Sequence, residues 1–339
     1  MMGQVSRWRW EPAIYEHKAA LLGLPVLDVA TSAAHLAAAV LREAELYDTG
    51  SVVVGIDIYN LEAEACGGRL TSAGPRNCPE LVGPGWSLDL LPAPLTLPPV
   101  PAAGRFRLVL EAGQRVRDAL PGYAVRIAAS GPVAIAAKLV GLEALAMALA
   151  LDEEPAQRLL DFTTDLAAAW CRAVRDTALD VIVFDSMASP PLISPTLYRR
   201  AIAPRHARLM DLLAARGQAD RPLILGGDTT AIAADLAATG ATSLVCDFTA
   251  SASRFAAALP PGHALTIRRN LPPGIVTQPP AAQDAALRAL CAELALFPKA
   301  SAGTGILPYD TPPDALTALG RRWAALTAPG AAAAPARGA

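Results

Sequence analysis

Histidine is scarce, with four in 339 residues and no pair at a metal-binding spacing. An imidazole-built zinc site has little to draw on. The five cysteines, Cys66, Cys78, Cys171, Cys246 and Cys291, are odd in number and never form a CxxC. They read as reduced thiols, not as a disulfide framework or a zinc cluster. Neither sign of charge dominates (29 Lys and Arg against 31 Asp and Glu), and no basic stripe is interleaved with aromatics. Nucleic acid is thereby disfavoured as a partner. Long apolar runs are missing as well. The most apolar helical stretch, residues 136–151, is interrupted by Lys138 and Glu143 and is too short to cross a bilayer. Residues 1–10 carry Arg7, Arg9 and two tryptophans but no signal-peptide core. The expectation is a cytoplasmic protein with no membrane association. Also missing are a GxGxxG after the first strand and a GxSxG elbow, which argues against a dinucleotide fold and a serine hydrolase.

What is present is a large apolar fraction, 53 %, and a recurring strand–loop–helix pattern. The stretch from Ser51 to Gly67 sets it: a β-branched run ends on Asp57, and a short acidic helical segment follows. Residues 12–22 and 32–47 read as helices, the first being an N-terminal extension. Later strands end at Ser130-Gly131-Pro132, Asp185-Ser186, Gly226-Gly227-Asp228-Thr229-Thr230, Asp247, Arg268-Arg269-Asn270 and Gly303-Thr304-Gly305. Seven strands are clear, and the eighth is sought in the Gly- and Pro-dense stretch 67–101, which also reads as a lid or pocket wall. Chemically distinctive tips on the carboxyl side of successive strands predict an α/β fold of the single (β/α)8, TIM-type barrel kind, with a doubly wound sheet as runner-up. Residues 1–324 form that domain, and the Ala/Pro-rich 325–339 reads as a disordered tail.

Each tip admits a functional and a structural reading. Asp57 is placed like a ligand-facing carboxylate, or it caps the following helix. Asn60 and Glu64, four apart, share a helix face. Glu62 and Glu64 read as a solvated first-turn pair, with a carboxylate metal site completed by His17 as the minority view. Ser186, beside Asp185, reads as a binding hydroxyl or a loop cap. The 226–230 loop offers backbone N–H groups to an anion, or makes a tight turn capped by Asp228. Arg268 and Arg269 point opposite ways on a strand, so one reaches the mouth and forks a substrate carboxylate while the other pairs structurally. The Gly303–Gly305 segment lets backbone approach a ligand, or only makes a turn.

These tips, in this order, resemble the uroporphyrinogen decarboxylase superfamily, which includes the corrinoid-protein methyltransferases. Val54-Gly55-Ile56-Asp57-Ile58 looks like its strand ending in an aspartate, and Val183-Phe184-Asp185-Ser186 like its FDS-type motif. Arg269-Asn270-Leu271-Pro272-Pro273 is similar to its GN-hydrophobic-DP stretch, and Gly303-Thr304-Gly305 to its closing loop. The resemblance spans about residues 15–326 and implies catalytic roles for Asp57 and Ser186. It implies substrate contacts at Asn60, Glu64, Lys138, Asp185, Gly227, Asp228, Arg268, Arg269, Asn270 and Thr304. Lys138 stands where the family has tyrosine, and Thr304 where it has histidine. The zinc ligands of the methyltransferase branch fall on Ile224, Gly226 and Thr304, so no zinc is expected. The implied activity is methyl transfer to or from a small substrate with cobalamin, a corrinoid, held free or on a corrinoid carrier protein. A carboxy-lyase acting on a tetrapyrrole or pyrrolic substrate is the alternative, and a non-catalytic tetrapyrrole-binding barrel the third. A homodimer is implied as well.

Overall fold

The computed structural model describes residues 7–83, 85–190 and 192–328. Ten strands occur among the described residues: β1 Arg9–Ile14, β2 Ser51–Val54, β3 Arg69–Thr71, β4 Glu80–Val82, β5 Ala124–Ser130, β6 Asp180–Phe184, β7 Leu223–Ile224, β8 Ser243–Cys246, β9 Thr266–Leu271 and β10 Lys299–Leu307. Eight of them form two parallel sheets, ordered β1-β10-β9-β8 and β2-β5-β6-β7. A single parallel bridge, Pro222 to Ser243, joins β7 to β8. The β2, β5 and β6 runs are apolar because helices cover one face and the barrel interior the other. The result is a TIM-type barrel whose C-terminal strand ends form the mouth.

The second junction, between β1 and β2, has no ladder among the described residues. A lysine spans it instead. Lys18 is fully buried, and its Nζ donates to Ile14 O at 2.6 Å, Val53 O at 2.8 Å and Gly55 O at 3.3 Å. Glu43 lies 3.4 Å from the same nitrogen. Burying an ammonium is tolerable only with this many acceptors and a counter-charge.

Several expectations change here. The eighth strand is β1, not part of 67–101, and it replaces the first half of the helix expected over 12–22; only His17–Ala20 is helical there. Its inward side chains are polar, with Glu11 accepting from Ser301 Oγ at 2.7 Å, so no apolar run announces it. Stretch 67–101 holds the antiparallel hairpin β3–β4 instead. Arg76 on that stretch pairs with Asp310 at 2.9 Å, and Trp86 N donates to Leu139 O at 3.1 Å, fastening it beside the mouth. Strand β10 runs straight through Gly303–Gly305, which are therefore strand and not loop. A Cβ on Gly303 would strike Arg268 and Glu11, and one on Gly305 would strike Phe248. The apolar helical stretch read over residues 136–151 breaks at Gly141 and belongs to two helices, Pro132–Val140 and Leu142–Ala150, bent by 114°. No single described helix is long and apolar enough to cross a membrane. The helix Pro313–Thr327 takes in the first residues of the expected tail; residues 329–339 lie outside the described residues.

Candidate functional site

Two connected hollows open at the mouth. The larger, about 340 Å³, has Phe184, Ile224, Val245 and Phe248 among its apolar walls. Ser186, Asp247, Arg268 and Asn270 supply its polar groups. The smaller, about 160 Å³, is lined by Asp57, Asn60, Cys78 and Lys138 among others. Tyr15, Ile58, Tyr59 and Ile306 belong to both.

Among the described residues, Arg268 is the only cation lining the larger hollow. Its Nε donates to Asn270 Oδ1 at 3.0 Å and its Nη2 to Thr304 O at 3.1 Å. Neither partner is charged, so the guanidinium faces the cavity with no ion pair among the described residues, in a hollow that the Asp247 carboxylate also lines. Gly303 makes room for it beside β10. Arg269, on the opposite face of β9, pairs with Glu293 at 2.7 Å and donates to the Cys246 and Asp247 carbonyls. The alternation of a strand thus divides the two arginines between cavity and scaffold. Thr304 is fully buried, with its Oγ1 accepting from Ala13 N at 3.3 Å where β1 and β10 slip register.

Ser186 Oγ accepts from Tyr59 Oη at 2.9 Å and from Gly226 N at 3.0 Å. The two hydroxyls own two protons, and only one is used between them. The other has no acceptor among the described residues and is available to a ligand. Burial pushes the Tyr59 phenol up, with Ser186 working the other way, so it stays a neutral donor. Tyr59 was not among the expected site residues; no motif marks it.

Asp57 lines the smaller hollow and is 8 % exposed. Its two oxygens meet Arg105 in a fork, Oδ1 to Nη1 at 3.1 Å and Oδ2 to Nη2 at 2.7 Å. Arg105 Nε also holds Glu64 Oε2 at 2.6 Å, and Nη1 donates to Ala30 O at 2.7 Å. Burial works against this guanidinium's charge, but Asp57 and Glu64 outweigh it and hold its pKa above the ordinary value. Asp57 therefore meets the mouth with both oxygens already held by a guanidinium that it shares with Glu64. Glu64 is spent on Arg105 rather than on a ligand. Arg105 went unread in the sequence because it lies 48 residues beyond Asp57 in an unremarkable loop.

Asp185 is wholly buried. It accepts from Val133 N at 3.2 Å and Ala134 N at 2.7 Å at the start of Pro132–Val140, and His206 Nε2 lies 2.8 Å away. A Cβ on Gly131 would collide with it. The Ser130-Gly131-Pro132 and Asp185-Ser186 motifs are thus two halves of one helix cap. The 226–230 loop has no amide left for an anion at Gly226, Gly227 or Thr230. Those N–H groups go to Ser186 Oγ, Asp247 Oδ2 and Asp228 Oδ1. Gly227 and Asp228 make the tight turn, the structural alternative.

Glu62 is fully buried, not solvated. Its Oε1 accepts from Ser130 N at 2.8 Å, and its Oε2 lies 2.6 Å from Ser130 Oγ, which is also 2.9 Å from Ile58 O. One serine proton cannot serve both oxygens, so a protonated Glu62 completes the chain. Burial pushes its pKa from 4.5 up to about 7, the Ser130 hydrogen bonds opposing. A raised folded-state pKa means the native state holds the proton longer than the unfolded chain does. Stability should fall as pH rises from about 4.5 to about 7. Urea unfolding across that range should show the decline, to which Glu43, also pushed up to about 7, contributes; Glu62→Gln should make it shallower, and an unchanged slope would contradict the assignment. His17, the third member of the minority metal site, bonds Tyr309 O at 3.3 Å and Tyr47 Oη at 2.7 Å. The three side chains face different partners. Among the described residues no three His, Cys, Asp or Glu side chains gather to hold a metal ion.

No curated protein matches the chain. Among solved structures, a methyltransferase from Methanosarcina mazei superposes with a TM-score of 0.78 at 20 % identity, covering 94 % of each chain. That likeness is one of fold. The family model described as uroporphyrinogen decarboxylase (URO-D) matches residues 2–323, and the chain belongs to this family.

Proposed function

We propose that the barrel mouth moves a methyl group between a small substrate and a corrinoid, without zinc. The observation that carries the reading is an apolar cavity of about 340 Å³ with one cation, Arg268. A tetrapyrrole bearing eight carboxylates needs several cationic partners; a small substrate with one anionic or carbonyl group needs one. The Asp57–Arg105 fork points the same way, since both oxygens of that carboxylate are already engaged by a guanidinium and are not free to face a pyrrolic cation.

A corrinoid macrocycle is too large for this cavity and would lie against its rim, where Phe248 and Ile306, 36 % and 50 % exposed, offer apolar surface. Bound there, free or on a carrier protein, it supplies the cobalt centre that gives or takes the methyl group. The chain's own residues do the rest. Arg268, oriented by Asn270, anchors the substrate, and the spare proton of the Ser186–Tyr59 pair fixes its orientation. The apolar walls keep water away and strengthen these contacts. Zinc does not fit, because Ile224, Gly226 and Thr304 offer no imidazole or thiolate.

The test is an absorbance scan of methylcobalamin with the protein and 3-mercaptopropionate, a monoanionic methyl acceptor. The expected result is protein- and acceptor-dependent loss of the methylcobalamin spectrum. No change, together with carbon dioxide release from uroporphyrinogen, would replace this reading with a carboxy-lyase.

A further inference from the structure

Strand β1, which no apolar run announces, also brings a tip to the mouth. The strand ends at Ile14, so Tyr15 is the first residue beyond its carboxyl end, where barrels place their ligand contacts. Among the described residues only Tyr15 lines both mouth hollows and also the chamber of about 80 Å³ inside the barrel below them. Its ring is buried and fixed. It meets the Phe184 ring edge-on with centres 5.9 Å apart, and Lys18 Nζ lies 5.2 Å from its centre. Its hydroxyl is free. The Oη makes no hydrogen bond among the described residues, yet it is not one of the unpartnered side-chain atoms sealed from solvent. A buried phenol ordinarily finds a partner; this one faces open space with a proton to give.

Burial pushes the Tyr15 phenol up and keeps it protonated. Among side chains Arg268 acts on it most strongly, in the opposite sense, and Tyr59 next, in the same sense as burial. Both line the larger hollow. Glu43 and Glu16, which line the other two, act more weakly. The carboxylate in the larger hollow, Asp247, already has its oxygens on backbone amides, Gly227 N at 3.0 Å and Phe248 N at 2.8 Å. What remains to meet a ligand is a set of donors: Arg268, the spare proton of the Ser186–Tyr59 pair, and the Tyr15 hydroxyl. Donors gathered in an apolar cavity suit an oxyanion that offers more than one oxygen. We infer that Tyr15 is a substrate-binding residue, its hydroxyl donating to one oxygen of a ligand carboxylate whose other oxygen lies on Arg268. This role rests on the mouth being the substrate site, and not on methyl transfer.

Calorimetric titration of 3-mercaptopropionate into the native protein, Tyr15→Phe, Arg268→Met and the double variant tests the role. Tyr15→Phe keeps the ring and its packing and removes only the oxygen. Its urea midpoint should match the native one, because the free protein loses no hydrogen bond. Its affinity for 3-mercaptopropionate should nevertheless fall about tenfold. In the Arg268→Met background the carboxylate has lost its anchor, and removing the hydroxyl should change affinity by less than about twofold. Equal affinity in the native protein and Tyr15→Phe would overturn the role. So would the same loss repeated in full in the Arg268→Met background, or a lowered urea midpoint, which would reveal a structural partner. A native protein that binds no 3-mercaptopropionate at millimolar concentration would remove the mouth as a carboxylate site, and the role of Tyr15 with it. Binding that follows the expected pattern without any methylcobalamin reaction would keep Tyr15 and remove the proposed activity.

Discussion

Replacing Arg105 by leucine should cost about 3–5 kcal/mol of folding stability, read as a lower urea midpoint with little change in slope. The reason is the number of groups left stranded. Asp57 and Glu64 would lose their shared guanidinium, and Ala30 O would lose its donor. Two neighbouring carboxylates in a site 8 % exposed at Asp57 cannot both stay ionised without a cation. Arg105→Lys should recover only part of the loss, since one ammonium cannot reproduce the fork and the third contact. Adding Asp57→Asn and Glu64→Gln to Arg105→Leu should restore some stability by removing the stranded charges. A single-variant loss below about 1 kcal/mol, the range of a surface ion pair, would show that the network is solvated.

Lys18→Met should be comparably damaging, for a different reason. The side chain keeps its length, so packing against Tyr15, whose ring centre is 5.2 Å from Nζ, largely survives. What disappears is the clamp on three carbonyls of β1 and β2 at the unladdered junction. Glu43, whose pKa burial pushes up to about 7 despite Lys18, can take a proton and so limit the electrostatic part of the loss. The double variant Lys18→Met, Glu43→Met separates the two contributions. If the ion pair is what matters, the apolar pair should restore stability fully, as exchanged buried pairs often do. If the carbonyl clamp matters, as two short contacts and a third at 3.3 Å indicate, most of the loss of about 3 kcal/mol should remain.

The sequence showed the barrel where strands obey simple patterning. β2, β5, β6 and β8 are short apolar runs with helices between, and their ends carry the polar tips. It hid β1, because Arg9, Glu11 and Pro12 suit a strand facing a polar barrel interior and look nothing like a core strand. It hid β10 behind glycines that read as a loop but exist to admit Arg268 and Phe248. At the site, neighbouring positions on one strand were readable. Strand alternation alone separates Arg268 from Arg269. Partners supplied by distant chain were not: Arg105 for Asp57, Ser130 for Glu62, Tyr59 for Ser186. One signal was available. Three acidic residues, Asp57, Glu62 and Glu64, clustered after a buried strand require a cation or a proton, and here Arg105 supplies the first and Glu62 the second.

The account as a whole depends on the unpaired guanidinium at the mouth. Titration of 3-mercaptopropionate into the native protein, Arg268→Met and Arg269→Met tests it most directly. Binding should weaken by about 10- to 100-fold in Arg268→Met, the worth of one charge-assisted contact. Arg269→Met should lose stability yet bind normally when folded. Equal affinity in the native protein and Arg268→Met would contradict the account.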